Sequence, residues 1–320
     1  MVRAAVVQAE VPTTLANGLG RASELTREAA GQGATLVVFP ETWLPGYPVW
    51  LDVCRDAGLW NHAPVKAVFR RLAEESVAVP GPAAGTLAEM ARSNGVTLIM
   101  GVSERVDAGP GQGTLYNSIL SFGPDGALLN HHRKLMPTYT ERMVWGAGDA
   151  EGLRSVTMPV GGVSARVGSL VCWEHWMPLA RQALHESGED IHVALWPTVH
   201  EMHQIASRQY AFEGRCFVLT AGSLMQASKL PSELEPHPGK VIDPDQWVMR
   251  GGSAIIAPDG SYVVEPVYDA PAMLVADLDL HRVREERMTL DVTGHYSRPE
   301  LLELRVTRSG RRAVESTPAS

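Results

Sequence analysis

Short apolar runs of strand length alternate with helix-period segments through most of this 320-residue chain, and that alternation restricts it to an α/β architecture. Residues 4–8, 36–39 and 96–102 read as strands, with helices at 15–30 and 87–94 between them. The pattern then turns to hairpins. Leu115–Phe122 and residues 127–132 flank Gly123-Pro124-Asp125-Gly126, where proline fixes φ and glycine permits a positive φ. Residues 253–257 and 262–265 flank a second such turn, Pro258-Asp259-Gly260. Between the hairpins the sequence predicts a strand ending at Val171, a helix over 178–185 and a strand over 193–196. A helix at 205–214 and a strand at Phe217–Ala221 follow. Two halves, each carrying a hairpin, suit two sheets packed face to face with helices outside.

With 45% hydrophobic and 20% charged residues, the chain has the makeup of a globular protein. Residues 1–300 read as a single domain and 301–320 as a polar, mobile tail. Two stretches look like insertions: 47–66, with Trp50 and Trp60, and 228–246, rich in Pro, Glu and Lys. The first reads equally as an interface, a pocket wall or core padding. A net charge of −8, with only isolated basic pairs such as Arg133-Lys134, argues against a nucleic-acid partner. No stretch approaches the ~20 apolar residues of a bilayer span. Cys54, Cys172 and Cys216 are widely separated and form no Cys-x-x-Cys pair, which fits a reducing, cytoplasmic setting.

Three strand ends carry reactive side chains. Cys172 closes the run 167–171 and opens Cys-Trp-Glu-His-Trp-Met-Pro, where the sequence predicts a hand-over from strand to helix. A thiol at a helix N-terminus is biased toward thiolate. Glu41 follows Leu36-Val37-Val38-Phe39-Pro40, and burial there would raise its pKa and make it a base. Lys134 follows the strand 127–132. Taken singly, these read as a buried inert thiol, a solvated loop acid and a surface lysine. Together, a nucleophile, a proton acceptor and a fixed cation form a complete set for attack on a carbonyl or a carbon–nitrogen multiple bond. The histidines His131-His132, His192, His200 and His203 lack His-Glu-x-x-His spacing and read as structural or surface groups, so no metal is expected. Cys54 and Cys216 read as structural thiols.

At these residues the chain resembles the true nitrilase branch of the nitrilase superfamily, carbon–nitrogen hydrolases with a Glu-Lys-Cys triad. Phe39-Pro40-Glu41-Thr42-Trp43-Leu44-Pro45-Gly46-Tyr47-Pro48 is similar to the glutamate motif, and His132-Arg133-Lys134-Leu135-Met136-Pro137-Thr138 with Trp145-Gly146-Ala147-Gly148-Asp149 to the lysine motif. Cys172-Trp173-Glu174-His175 with Met177-Pro178-Leu179 is similar to the cysteine motif, with His175 in place of the common Asn. Gly251-Gly252-Ser253 and the segment 291–299 resemble late segments of the branch. The resemblance implies a four-layer α-β-β-α sandwich, Glu141 as a second acid near Lys134 and Cys172, and at least a homodimer paired across a helical face. The tail is shorter than in many of these enzymes, so the spirals they form are not expected.

The resemblance also implies a reaction without metal or organic cofactor. Cys172 attacks the nitrile carbon of a small molecule, Glu41 moves the thiol proton, and Lys134 with the Trp173 backbone N–H stabilises the developing charge. A thioimidate and then a thioester follow, and hydrolysis releases a carboxylic acid and ammonia. An amidase or carbamoylase with the same triad, or a cyanide-hydrolysing enzyme, is the alternative. A non-enzymatic scaffold on the same fold would have lost a triad member, and all three are present.

Overall fold

The computed structural model describes residues 1–241 and 243–308. Among them the strands form two seven-stranded sheets. The first holds β1 (Val2–Gln8), β2 (Leu36–Val38), β3 (Val77–Ala78), β4 (Thr97–Arg105), β5 (Leu115–Phe122) and β6 (Leu128–Arg133). The second holds β7 (Val156–Val160), β8 (Val163–Val171), β9 (Ile191–Leu195), β10 (Phe217–Ala221), β11 (Leu224–Gln226), β12 (Trp247–Ile256) and β13 (Tyr262–Tyr268). The last strand, β14 (Ala272–Leu278), returns to the first sheet beside β1. The orders are β14-β1-β2-β4-β5-β6 and β11-β12-β10-β9-β8-β7.

Each sheet has the same kernel. The strands β1, β2 and β4 run parallel, as do β8, β9 and β10. An antiparallel strand flanks each trio on both sides, β14 and β5 in one sheet, β7 and β12 in the other. The two Pro-Asp-Gly hairpins, β5–β6 and β12–β13, occupy corresponding places.

Alternation along the strands produces the layers. On β1, Val2, Ala4 and Val6 join the core shared with the second sheet, whereas Ala5 and Val7 face the outer helices. Leu36 and Val38 of β2 point inward and Val37 outward. The outer layer on this side comprises α1 (Leu15–Gly31), capped by Thr14 Oγ1 accepting the Asn17 N–H at 3.2 Å, and α4 (Pro82–Asn94). Proline starts α4, and Gly95, at φ 62°, ends it in the left-handed region. The opposite layer comprises α5 (Pro178–Ser187) and α6 (Glu201–Gly214), whose Ala183, Leu184, Tyr210 and Ala211 pack on the second sheet. The fold is the α-β-β-α sandwich that the resemblance implied.

The two insertions fold against each other. Residues 47–66 form α2 (Trp50–Val53) and a loop, and α3 (Ala63–Glu75) follows. Trp50 is buried with Leu115, Val144 and Trp145, while Trp60 is 98% exposed. The second insertion seals the first: the Arg55 N–H donates to Glu235 O at 2.9 Å, and the His237 N–H to Val53 O at 2.7 Å. A short final helix, α7 (His281–Glu286), precedes a segment in which Leu304 and Val306 pack on the central core. The tail is therefore anchored as far as it is described; residues 309–320 lie outside the described residues.

The turn carrying Glu41 lies directly on β4. The Phe39 N–H donates to Ile99 O at 2.9 Å and the Ser103 N–H to Leu44 O at 2.7 Å. Gly101 makes this approach possible, since a Cβ there would lie 2.1 Å from Pro40 O and 2.9 Å from the Glu41 Cα. Gly101→Ala is expected to destabilise the fold by about 1–3 kcal/mol through overpacking, read as a lowered urea midpoint with an unchanged m-value.

Candidate active site

Three strand ends converge. Glu41 follows β2, Lys134 follows β6, and Cys172 follows β8 from the opposite sheet. All three side chains are buried, and Glu141, on a short 3₁₀ turn over Tyr139–Met143, joins them. Lys134 Nζ donates to Glu41 Oε1 at 3.1 Å and to Glu141 at 2.9 and 2.7 Å. One carboxylate oxygen each of Glu41 and Glu141 and the sulfur of Cys172 lie within 4.8 Å of one another. The Lys134 ammonium supplies the cation within that acidic set.

Asn117 on β5 donates to Glu41 Oε1 at 2.7 Å, whereas Glu41 Oε2 is buried with no hydrogen-bond partner among the described residues. One oxygen is held and the other is free to accept a proton. Burial pushes the Glu41 carboxyl up to about 7, with Lys134 and Asn117 opposing and Glu141 reinforcing. Burial pulls the Lys134 ammonium down, but Glu41, Cys172 and Glu141 outweigh it and raise its pKa. Tyr47 Oη donates to Glu141 Oε1 at 2.8 Å and the Thr138 N–H to Oε2 at 2.7 Å, which fixes the second carboxylate.

Cys172 departs from the sequence-based expectation in one respect. No α-helix starts there: a 3₁₀ turn spans Cys172–Trp176, and α5 begins only at Pro178. Without a helix dipole, burial and then Glu41 push the thiol well above its ordinary pKa, although Lys134 and the Trp173 N–H work in the other direction. The resting sulfur is a thiol beside a base. Cys54, pushed up to about 11, and Cys216, pushed well above its ordinary value, are also buried free thiols but lack this neighbourhood.

Backbone strain marks the same three loops. Thr42, Tyr139 and Cys172 have φ values of 40°, 42° and 53°, in the left-handed region that non-glycine residues seldom occupy. A buried carboxylate braces the lysine and cysteine loops. Glu174 Oε1 accepts the Leu135 N–H at 2.8 Å, Oε2 accepts the Val171 N–H at 2.7 Å, and His132 Nε2 contacts both oxygens at 3.0 and 3.1 Å. Nearby, Glu104 gathers Arg133, His131 and Ser118, which steadies the residue before Lys134.

A cavity of about 400 Å³ opens over Cys172, walled by Tyr47, Trp173, Pro197, Val248 and Met249. Trp173 lines it and is 53% exposed, while its backbone N–H faces the sulfur. His200 and His203 line its rim, and His131, His132 and His192 are each paired with a carboxylate elsewhere. Sequence reasoning located Glu41, Lys134, Cys172, Glu141 and Trp173, and the structure brings them together. It gave no role to Asn117, nor to Tyr47 and Glu174 within the quoted motifs, because each acts through a partner distant in sequence.

The carbon-nitrogen hydrolase family profile matches residues 3–288. The chain belongs to the carbon-nitrogen hydrolase family. Among curated members, a bifunctional nitrilase/nitrile hydratase, NIT4A, of Lupinus angustifolius is 38% identical over 331 residues, covering 100% of this chain and 90% of the relative. A nitrilase of Paraburkholderia phymatum is 36% identical with the same coverages. The crystal structure of a carbon-nitrogen hydrolase from Helicobacter pylori G27 superposes with a TM-score of 0.69 at 17% identity, covering 90% of this chain and 92% of that one, which shows the shared fold.

Glu174→Ala is expected to lower folding stability by about 3–5 kcal/mol at pH 7, because it strands His132 and two buried N–H groups. The Glu174 carboxyl is held below its ordinary value by His132 and the Leu135 and Val171 N–H groups, against the opposing effect of burial. Its contribution is present above the unfolded-state pKa and is lost as pH falls through the lower folded-state value. Urea titrations across acidic pH should therefore show the gap between variant and wild type closing.

Proposed function

We propose that this hydrolase is a nitrilase that converts a small organic nitrile to a carboxylic acid and ammonia, with Cys172 as nucleophile, Glu41 as general base and acid, and Lys134 as electrostatic stabiliser. The observation that carries the reading is the buried Glu41 carboxylate, with Oε2 unpaired, grouped within 4.8 Å of a buried thiol and bonded to a fixed ammonium. As Cys172 Sγ bonds to the nitrile carbon, its proton passes to Glu41 and on to the nitrogen, giving a thioimidate. Lys134 Nζ and the Trp173 N–H are placed to meet the charge developing on that nitrogen. Water, deprotonated by Glu41, adds to the thioimidate carbon. Protonated nitrogen leaves as ammonia, and a second water cleaves the thioester and returns the proton to sulfur. Glu141, held by Tyr47 and Thr138, orients Lys134 throughout.

Relatives named nitrilase or bifunctional nitrilase/nitrile hydratase, at 34–39% identity over 95–100% of the chain, favour a nitrile over an amide substrate. The bifunctional names favour an amide by-product as well, formed when the tetrahedral species expels sulfur instead of ammonia. On this reading, residues 1–300 are one catalytic unit, and the active form is at least a homodimer. Exposed Leu179 on α5 and Met202, Ile205 and Phe212 on α6 support pairing through that helical face. No helix among the described residues is long and apolar enough to cross a membrane. Buried free cysteines are consistent with a cytoplasmic setting.

Cys172→Ala is expected to fold normally, by circular dichroism and melting temperature, and to lose at least 10³-fold in ammonia release, on the order of what removing a nucleophile costs. Undiminished turnover would sink the nucleophile assignment, and a panel preferring amides to nitriles would favour an amidase. Since Glu41 must be ionised to accept the thiol proton and its pKa lies at about 7, kcat/KM should rise as pH increases through that region. A flat profile from pH 6 to 8 would argue against Glu41 as the base.

A further inference from the structure

Behind the nucleophile turn a line of buried polar groups runs into the second sheet. His175 Nδ1 lies 2.7 Å from the main-chain oxygen of Cys172, and His175 Nε2 lies 3.0 Å from His192 Nε2. His192 Nδ1 lies 2.7 Å from Glu189 Oε1, and Tyr210 Oη donates to Glu189 Oε2 at 2.6 Å. His175 stacks on Trp196 and His192 on Tyr210, so neither ring is free to turn.

The proton balance of this line is fixed by its ends. Its two ends, a carbonyl and a carboxylate, are acceptors, and three contacts between them each need a hydrogen. Two neutral imidazoles supply two. With Glu189 ionised, the rings would then face each other lone pair to lone pair at 3.0 Å, in a place where an unmet polar contact is costly.

We propose that His175 and His192, beside an ionised Glu189, form a relay whose two rings share three N–H protons, one more than two neutral rings carry, and that this relay positions Cys172 by clamping its carbonyl in the left-handed turn. The functional half rests on Cys172 being the nucleophile, as proposed above. The groups facing the relay are His185 and Arg181 from α5, Tyr210 and Glu213 from α6, and Glu174 beyond the rings. Burial above all holds both imidazoles below their ordinary pKa, His192 in spite of Glu189, whereas the ring-to-ring contact requires a proton between them. Sharing it across the Nε2 contact satisfies all three hydrogen bonds. None of the three residues reaches the substrate cavity, so they are positioning residues.

The full-length protein labelled with ¹⁵N-histidine, with signals assigned through His175→Asn and His192→Asn, tests the count. Three ring N–H protons shared by His175 and His192 at pH 7 are expected; two neutral rings would overturn the proposal. Glu189→Gln separates charge from geometry, because its amide N–H can donate to His192 Nδ1 and complete the chain without the third ring proton. That variant should lose the third proton yet keep kcat within about threefold, whereas Glu189→Leu should lower kcat at least tenfold with KM within twofold. The rate of Cys172 alkylation by iodoacetamide, located by mass spectrometry, should fall in parallel. If Glu189→Leu does not fold, His175→Asn, which keeps a donor to the carbonyl, is compared with His175→Leu, which does not. Equal kcat and alkylation rates in that pair would overturn the positioning role. Activity surviving in Cys172→Ala would instead defeat the nucleophile reading, and with it the functional half, while the proton count would stand.

Discussion

The site depends on the Glu174 carboxylate. Glu41 and Lys134 are carried by one sheet and Cys172 by the other, so the triad exists only if the two sheets hold a fixed relation at their strand ends. Apolar packing between the sheets is strong but nearly directionless, and would tolerate a slide of some tenths of an ångström. Glu174 removes that freedom. It accepts the N–H of Leu135 beyond the first sheet's β6 and the N–H of Val171 at the end of the second sheet's β8, with His132 closing the third side. Each bond is short and charge-assisted in a buried region, where geometry is held far more tightly than by dispersion.

That rigidity explains how three strained residues persist together. Left-handed backbone at Thr42, Tyr139 and Cys172 carries roughly 1–3 kcal/mol each, and strain of that size relaxes unless the surroundings over-determine it. They are over-determined here. Thr42 is held against Gly101 of β4 with its carbonyl accepting the Gly46 N–H, Tyr139 by the bonds that fix Glu141, and Cys172 between Glu174 on one side and His175 on the other. In each loop the unusual torsion falls on or within two residues of a group whose direction the chemistry needs.

Much of this frame was legible in the sequence because the parallel strands are short, apolar and bounded by proline or glycine. Leu115–Phe122 and Phe217–Ala221 match their predicted spans, and the reactive residues lie where apolar runs stop. What was not legible depends on distant partners. The strand β14 is half-buried along its length and pairs with β1 from across the chain, so no local alternation announces it. The helix α3 was legible and went unread: Val65, Val68, Phe69 and Leu72 recur at helical spacing and pack beside Trp50, although only Val68 is fully buried. Lys134 and Glu41 illustrate the limit from the other side: residues of their types are usually solvated, and only two buried counter-charges and Asn117 make their interior positions tenable. The expected helix start at Cys172 failed because Met177-Pro178 postpones α5 by six residues and leaves a tight turn in its place.

On the proposed mechanism, the missing helix dipole changes how the nucleophile must work. A pre-formed thiolate would add a negative charge to a pocket that already holds two carboxylates against one ammonium. Keeping the thiol neutral avoids that, and proton transfer to Glu41 during attack moves charge without creating any. Glu41 becomes neutral as sulfur becomes negative, and Lys134 stays within reach of both. The charge then passes to the substrate nitrogen, again without a change in the total. A buried site can sustain this sequence because its desolvation energy is nearly constant along it, whereas a site that built up net charge would meet the full penalty of its low-dielectric walls. The arrangement therefore requires the Cys172 sulfur and Glu41 Oε2 to keep a fixed mutual direction through every proton transfer, and a turn held from both sides meets that requirement.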